Sequence, residues 1–300
     1  MIEYAAFLIA GLVGLWISAD KTVENAEKLI KAYGIPGFMF GAVFISISTG
    51  LPELATALIS TFEGVPELSA GDIIGSSLVN LTFVLGISIL AAKGLELHGE
   101  DLDLVRDAVI ATMFAALVLI VFQSLSLGVV VMLLTVYAAF LYRVEHSAFQ
   151  IDEEGEASSK EILLTLIGVA ALLLSARIMV AGAKGLGEAI GIPIEILGAT
   201  VVAVGTGLPE LAFEVTAIRK GDYSLALGDI FGSTLVNITL SLGLLGLIST
   251  PSIISLMPVL LGLVLVGGLT MIFSWKGEFS RIEALILLAV FLAYILFQAF

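Results

Sequence analysis

Apolar residues run along almost the whole chain in blocks of twenty or more, separated by short polar stretches. A helix that crosses a bilayer needs roughly 20 apolar residues. The blocks predict ten such helices, at residues 4–32, 36–62, 68–92, 104–123, 125–143, 161–190, 193–218, 224–249, 253–274 and 281–299. The first and sixth are long, and their second halves are amphipathic. A helix of about 28 residues measures about 42 Å at 1.5 Å per residue, so both are expected to tilt or to lie partly in the interface. The opening MIEYAAFLIAGLVGLW carries Glu3 and no basic stretch ahead of its apolar run. It reads as a first span, not as a cleaved signal peptide.

Composition narrows the class. Hydrophobic residues make up 59% of the chain and charged ones 13%, against about 25% charged in an average soluble domain. With a mean hydropathy of +1.13, too little polar surface remains to cover a soluble globule. The expected class is an all-α polytopic membrane protein in the cell membrane, with the lipid bilayer as its solvent. The net charge is −14, with many of the acids in Glu96–Asp107 and Asp152–Glu161. No basic patch is left for a nucleic acid, and no obligatory protein partner is evident. There is no cysteine, which excludes disulfides, thiolate metal sites and cysteine nucleophiles. His98 and His146 lie singly in polar loops, which speaks against zinc.

Basic residues set the orientation. If the spans alternate, Lys28, Lys31, Lys93, Arg106, Arg143, Lys160, Arg219, Lys220, Lys276 and Arg281 all fall on one side, and only Lys184 lies near the other. The positive-inside rule puts that side in the cytoplasm and both termini outside it.

A repeat is written into the chain. GAVFISISTGLPELA at 41–55 returns as GATVVAVGTGLPELA at 198–212, and GDIIGSSLVNLT at 71–82 returns as GDIFGSTLVNIT at 228–239. The offset is 157 throughout, and it also aligns Gly34-Ile35-Pro36 with Gly191-Ile192-Pro193. The expected organisation is a five-helix repeat over 1–150, an acidic cytoplasmic linker over 151–160 and a second five-helix repeat over 161–300. Five is odd, so the second repeat enters the membrane upside down. Inverted repeats of this kind build secondary transporters, with the binding site near the midplane where the repeats meet. The linker run Asp152-Glu153-Glu154-Gly155-Glu156 lacks the alternating ligand spacing of an EF-hand-like loop and reads as a solvated connection.

Glu53 and Glu210 sit mid-span at equivalent repeat positions. An ionisable group at that depth costs several kcal/mol, on the order of 2.5 or more, unless it faces a cavity or a partner. Each follows Thr-Gly-Leu-Pro, at Thr49 to Pro52 and Thr206 to Pro209. Proline withholds a backbone donor and glycine adds backbone freedom, so the helix is expected to break or kink and free carbonyl oxygens. Ser46, Thr49 and Glu53 share one helical face. Asp72, Ser76 and Asn80 form a polar stripe in the third span, and Asp229, Ser233 and Asn237 repeat it in the eighth. Such small polar residues also serve as helix-packing glue. Carboxylates, amide oxygens, hydroxyls and carbonyls are all hard oxygen ligands. They suit calcium, whose charge two carboxylates balance, and sodium fits them too. A transition-metal site would call for histidine or cysteine.

The paired GTGLPE and GSxxxN motifs resemble the two α-repeats of the calcium/cation antiporter superfamily, which contains the sodium/calcium and proton/calcium exchangers. The resemblance covers essentially the whole chain. It implies a calcium transport site at Glu53 and Glu210, with ligand or site-lining roles for Thr49, Thr206, Ser76, Ser233, Asn80 and Asn237. Ser46, Glu214, Asp72 and Asp229 are accessory candidates. There are departures. Sodium/calcium exchangers of the superfamily usually carry serine where Gly50 and Gly207 stand here. An acid sometimes found at the second asparagine position is Asn237 here. Glu214 lies one turn beyond Glu210 and its repeat mate is Ala57; it is either an extra proton or cation group or a cavity-facing acid. The expected function is a calcium antiporter without a cofactor, not an enzyme, coupled to protons. Sodium coupling is the alternative, and a cation channel a more remote one. Spans 1 and 6, with Asp20 and Arg177 at aligned positions, are expected to slide across the core formed by spans 2, 3, 7 and 8.

Overall fold

The computed structural model describes residues 1–30, 40–97, 99–145 and 159–299. His98, His146, Lys31, Gly34-Ile35-Pro36 and the acidic run 152–156 lie outside the described residues. Among the described residues the protein is all-helical apart from one two-residue ladder, and eight helices are long and apolar enough to cross a membrane. It is a multi-pass membrane protein.

Helix α1 (Ile2–Ile30) opens the chain. Its apolar part ends at Ser18, because the sequence turns charged from Asp20 onward. A π-helical turn (Phe40–Ile45) leads into the short α2 (Ser46–Thr49), and α3 (Leu51–Phe62) follows after Gly50. Helix α4 (Pro66–Val79) continues through a π turn (Asn80–Val84) into α5 (Leu85–Ala92). Helices α6 (Gly99–Phe122) and α7 (Leu127–Glu145) complete the first half. The α6 start lies five residues before the apolar block. Glu100 and Asp101 in its first turn complement the positive end of the helix dipole and extend it.

The second half begins with α8 (Ser159–Ile190). Helix α9 (Ile194–Leu197), a π turn (Gly198–Val202), α10 (Ala203–Thr206) and α11 (Leu208–Arg219) form one interrupted rod. Helix α12 (Tyr223–Val236) runs through a π turn (Asn237–Ser241) into α13 (Leu242–Ile248). Helices α14 (Met257–Ser274) and α15 (Arg281–Ala299) close the chain. Strand β1 (Leu95–Glu96), after α5, pairs antiparallel with β2 (Glu278–Phe279), before α15.

The centre is the pair of rods Pro66–Ala92 and Tyr223–Ile248. Their apolar stretches are 83% and 78% buried, against 22–50% for the other six candidate spans. Glycine lets the interrupted rods cross them at backbone contact. A Cβ on Gly71 would lie 2.0 Å from the Glu195 carbonyl oxygen, and one on Gly198 2.1 Å from that of Leu68. Any larger residue would force the crossing apart.

Helices α1 and α8 pack against each other along their length. Leu8 lies against Gly182 and Met179 against Gly11, which sets the two helices antiparallel. A Cβ on either glycine would fall 2.3–2.4 Å from the opposing backbone nitrogen. This pair meets the rest of the molecule through its own apolar cluster, in which Leu8, Leu15, Leu172 and Met179 pack with Ala55, Leu68, Leu197 and Val202. A separate, larger cluster joins the remaining helices.

Candidate functional site

Glu53 and Glu210 stand in the first turns of α3 and α11, each just after the proline. Both are fully buried. A helix N-terminus favours negative charge, so the two short helices aim their positive ends at their own carboxylates. The interruption ahead of each glutamate is a single residue. Gly50 donates to the Ser46 carbonyl at 3.1 Å and its own carbonyl accepts from Leu54 at 3.1 Å; Gly207 does the same with Ala203 and Leu211. Of the expected break or kink, the structure shows an interruption one residue wide that the helical hydrogen bonds span. Nor do the glycines supply unusual backbone freedom, since Gly50 has φ −74° and Gly207 φ −76°, values open to any residue. What they contribute is the missing side chain. A Cβ at Gly50 would stand 3.7 Å from Asn237 Oδ1, and one at Gly207 3.7 Å from Glu210 Oε2.

The two halves exchange hydrogen bonds. Thr206 Oγ1 donates to Asp72 Oδ1 at 2.9 Å, and Thr49 Oγ1 donates to Asp229 Oδ1 at 3.2 Å. These are the same bond, since both residues of one are offset by 157 from those of the other, with the partners swapped between repeats. Ser76 Oγ lies 3.4 Å from Asp72 Oδ1 and 3.3 Å from Thr206 Oγ1. Ser46 Oγ donates to the Asp229 carbonyl at 3.3 Å. Ser77 Oγ is 3.5 Å from the carbonyl of Thr234, its own repeat mate. The two aspartates therefore hold the threonines of the opposite repeat and fix where those hydroxyl oxygens sit.

Glu53 faces Thr206 and Ser76, and Glu210 faces Asn80 and Ser233. Glu53 lies within Coulombic range of Glu210 and of Asp72. Asn80 donates from Nδ2 to Ser233 Oγ at 2.9 Å, which leaves its Oδ1 as a directed acceptor. That oxygen, both oxygens of Glu53, both of Glu210, Asp72 Oδ2 and Asn237 Oδ1 are buried without a hydrogen-bond partner. Buried acceptors are normally satisfied, and a buried unpaired carboxylate is costly. A set of bare oxygen acceptors gathered in a dry interior suits a desolvated cation. Among the described residues no group of three or more His, Cys, Asp or Glu is close enough to hold a metal by itself. Any cation here must also draw on amides, hydroxyls or carbonyls. Glu214 is fully buried, its oxygens have no partner, and it faces Asp229 and Glu210. It stands on the second-repeat side only.

The site residues expected from sequence thus fall into one buried cluster on α2, α3, α4, α10, α11, α12 and the π turns that follow α4 and α12. Sequence reasoning missed the π turns. Asn80 and Asn237 each begin one, and π turns are frequent at functional sites. The recurrence of Asn-x-Thr at 80–82 and 237–239 was the available signal. It also missed Tyr294, whose hydroxyl donates to the Ala199 carbonyl within another π turn. Arg177 ion-pairs with Glu63 at 3.4 Å, from α8 to the end of α3. The side chain of Asp20 lies outside the described residues.

The profile of the "Sodium/calcium exchanger protein" family matches residues 3–144 and 160–300. The chain belongs to this family. Sodium/calcium exchanger MaX1 of Methanosarcina acetivorans is 27% identical over 96% of this chain and 96% of its own length. Inner membrane protein YrbG of Escherichia coli is 29% identical over 83% of this chain and 81% of its own. Among solved structures, the sodium-calcium exchanger NCX_Mj, soaked with Na+ and Sr2+, superposes with a TM-score of 0.74 at 25% identity, covering 98% of both chains. The family places the chain among cation exchangers, and MaX1 carries an exchanger's name.

Proposed function

We propose that the chain exports cytosolic Ca2+ in exchange for H+, by alternating access to the site shared by Glu53 and Glu210. The observation that carries this reading is the cluster of buried, partnerless oxygen acceptors around two glutamates contributed by opposite repeats. Two carboxylates balance one calcium ion when ionised, and each accepts one proton when the ion leaves. An empty, doubly ionised site would drag unpaired charge through a dry barrier, so exchange is obligatory and leak is opposed. Glycine at 50 and 207 supports protons as the coupling ion. Hydroxyls at these positions would stand beside Asn237 Oδ1 and Glu210 Oε2, and without them the site has fewer oxygens for several sodium ions. The name of MaX1 favours the second reading, sodium coupling at the same site.

In this proposal the ten expected spans form two inverted five-helix repeats, over 1–150 and 161–300, joined by the 151–160 linker, with both termini outside the cytoplasm. The swapped threonine–aspartate bonds and the contact of Ser77 with its mate Thr234 support a two-fold relation. The α1–α8 pair, packed on itself and meeting the rest through a separate apolar cluster, is the moving unit. Thr49, Thr206, Asn80, Asn237, Ser76 and Ser233 line the ion site, Ser46, Asp72 and Asp229 orient it, and Glu214 flanks it.

The test is calcium flux in liposomes holding the purified protein, driven separately by a pH gradient and by a sodium gradient. Flux under the pH gradient alone, with calcium affinity falling as pH falls, is the expected result. Flux under sodium alone, with affinity flat in pH, would establish the sodium reading instead.

A further inference from the structure

Away from the buried acids, a cavity of about 680 Å³ opens where the α5–α6 and α14–α15 connections meet. The β1–β2 ladder crosses it, with Leu95 opposite Phe279 and Glu96 opposite Glu278. Leu95 and Phe279 are buried and form the floor, while Lys93, Glu96, Glu278 and Arg281 stand exposed around it.

Two features of this pocket are unfavourable by themselves. Lys93 ends α5 in the left-handed conformation, at φ 65°, where helices usually place glycine. An ordinary side chain there costs roughly 1–2 kcal/mol. Glu96 and Glu278 are direct cross-strand neighbours of like charge, which is also destabilising. Among the described residues, none of these four side chains forms an ion pair or a side-chain hydrogen bond. The nearby Glu283 is engaged elsewhere, accepting from the Ser280 N–H at 2.6 Å to cap α15. The pocket is therefore lined by two cations and two anions that make no ion pair with one another.

That pattern complements a ligand carrying a phosphate and a primary ammonium. The surroundings say where such a ligand comes from. The pocket lies at helix ends, and α15 leaves it with Ile282 72% and Leu285 58% exposed, while Trp275 beside it is 81% exposed. In a membrane protein such apolar faces meet acyl chains, and tryptophan sits at headgroup level. We propose that this cavity binds the headgroup of an aminophospholipid. Its phosphate lies between Lys93 and Arg281, its ammonium against Glu96 and Glu278, and its acyl chains follow the outer face of α15.

The experiment is native mass spectrometry of the full chain in detergent, titrated separately with phosphatidylethanolamine, phosphatidylcholine and phosphatidylglycerol. One phosphatidylethanolamine per chain should be retained, at about tenfold lower concentration than either of the others. Phosphatidylcholine has no ammonium hydrogen to give a carboxylate, and phosphatidylglycerol has no cation. Replacing Lys93→Ala with Arg281→Ala should weaken retention about tenfold. Replacing Glu96→Gln with Glu278→Gln should abolish the preference over phosphatidylglycerol. All four side chains are exposed, so both double variants are expected to fold and to transport calcium. Equal retention of the three lipids, or a preference that survives both double variants, would overturn the site. Displacement of the lipid by millimolar glycerophosphoethanolamine would overturn a membrane source, whereas persistence of the lipid supports the contribution of α15.

Discussion

Among the described residues, the two glutamates differ from the other acids that sequence alone would single out, because their oxygens are buried, bare and aimed at groups of both repeats. Glu53→Gln and Glu210→Gln keep the shape of the side chain but remove the charge that balances a divalent ion. Each is expected to lower calcium transport by roughly two orders of magnitude, as loss of one partner from a buried charge pair costs about 3 kcal/mol or more. Circular dichroism and monodisperse elution should stay as in the parent protein, and near-normal flux in either variant would make the acids structural. Asn80→Ala and Asn237→Ala each remove a neutral amide oxygen and no charge, so calcium affinity should fall about fivefold, on the scale of about 1 kcal/mol. Asn80 should lose the more, since its amide also holds Ser233 in place. These positions were legible in the sequence through depth and repetition. The bonds that tie Thr49 to Asp229 and Thr206 to Asp72 were not, because their partners lie 180 and 134 residues apart.

At the scale of the element, the rods that carry the site depend on backbone contact at glycine. Gly71→Ala would drive a methyl group to 2.0 Å from the Glu195 carbonyl oxygen. It is expected to destabilise the protein by about 1–3 kcal/mol, read as a lower thermal midpoint. Gly268→Ala meets nothing within 4 Å and serves as the control, with a midpoint within a degree or so of the parent, since surface changes of this kind stay near 0.5 kcal/mol. The α1–α8 pair is the second element with a testable role. Cysteines introduced at Leu15 in α1 and Ala55 in α3, which share one apolar cluster, should on cross-linking arrest exchange, and reduction should restore it. Full exchange after complete cross-linking would show that the pair only packs. Apolar patterning announced these helices, but not the π turns. A π turn adds one residue to a helical turn and leaves the apolar pattern unchanged, so patterning does not display it, and the recurrent Asn-x-Thr was its one sequence trace.

Across the whole molecule, exchange requires that one site face the two sides in turn, so the orientation of the chain becomes measurable. If both termini lie outside the cytoplasm, a membrane-impermeant thiol reagent added to intact cells should label a cysteine introduced at Glu3. It should not label one introduced at Lys276, until the membrane is opened. The reverse pattern would place the basic loops outside and invert the direction of transport argued here.

The sequence by itself determined the class, the repeat and the identity of the central acids. Hydrophobic run length, positional recurrence and the cost of charge in an apolar interior are properties of local sequence. Tertiary structure decided everything that needs two distant segments at once. It showed that Gly50 and Gly207 withhold a side chain and use φ values open to any residue, and that the threonines are held by aspartates of the other repeat. It placed Glu214 against Asp229, and it brought the loops that carry Glu96 and Glu278 together around one charged pocket. The physical reason is that burial and partnership are set by packing, and a one-dimensional pattern records which residues avoid water but not which of them meet.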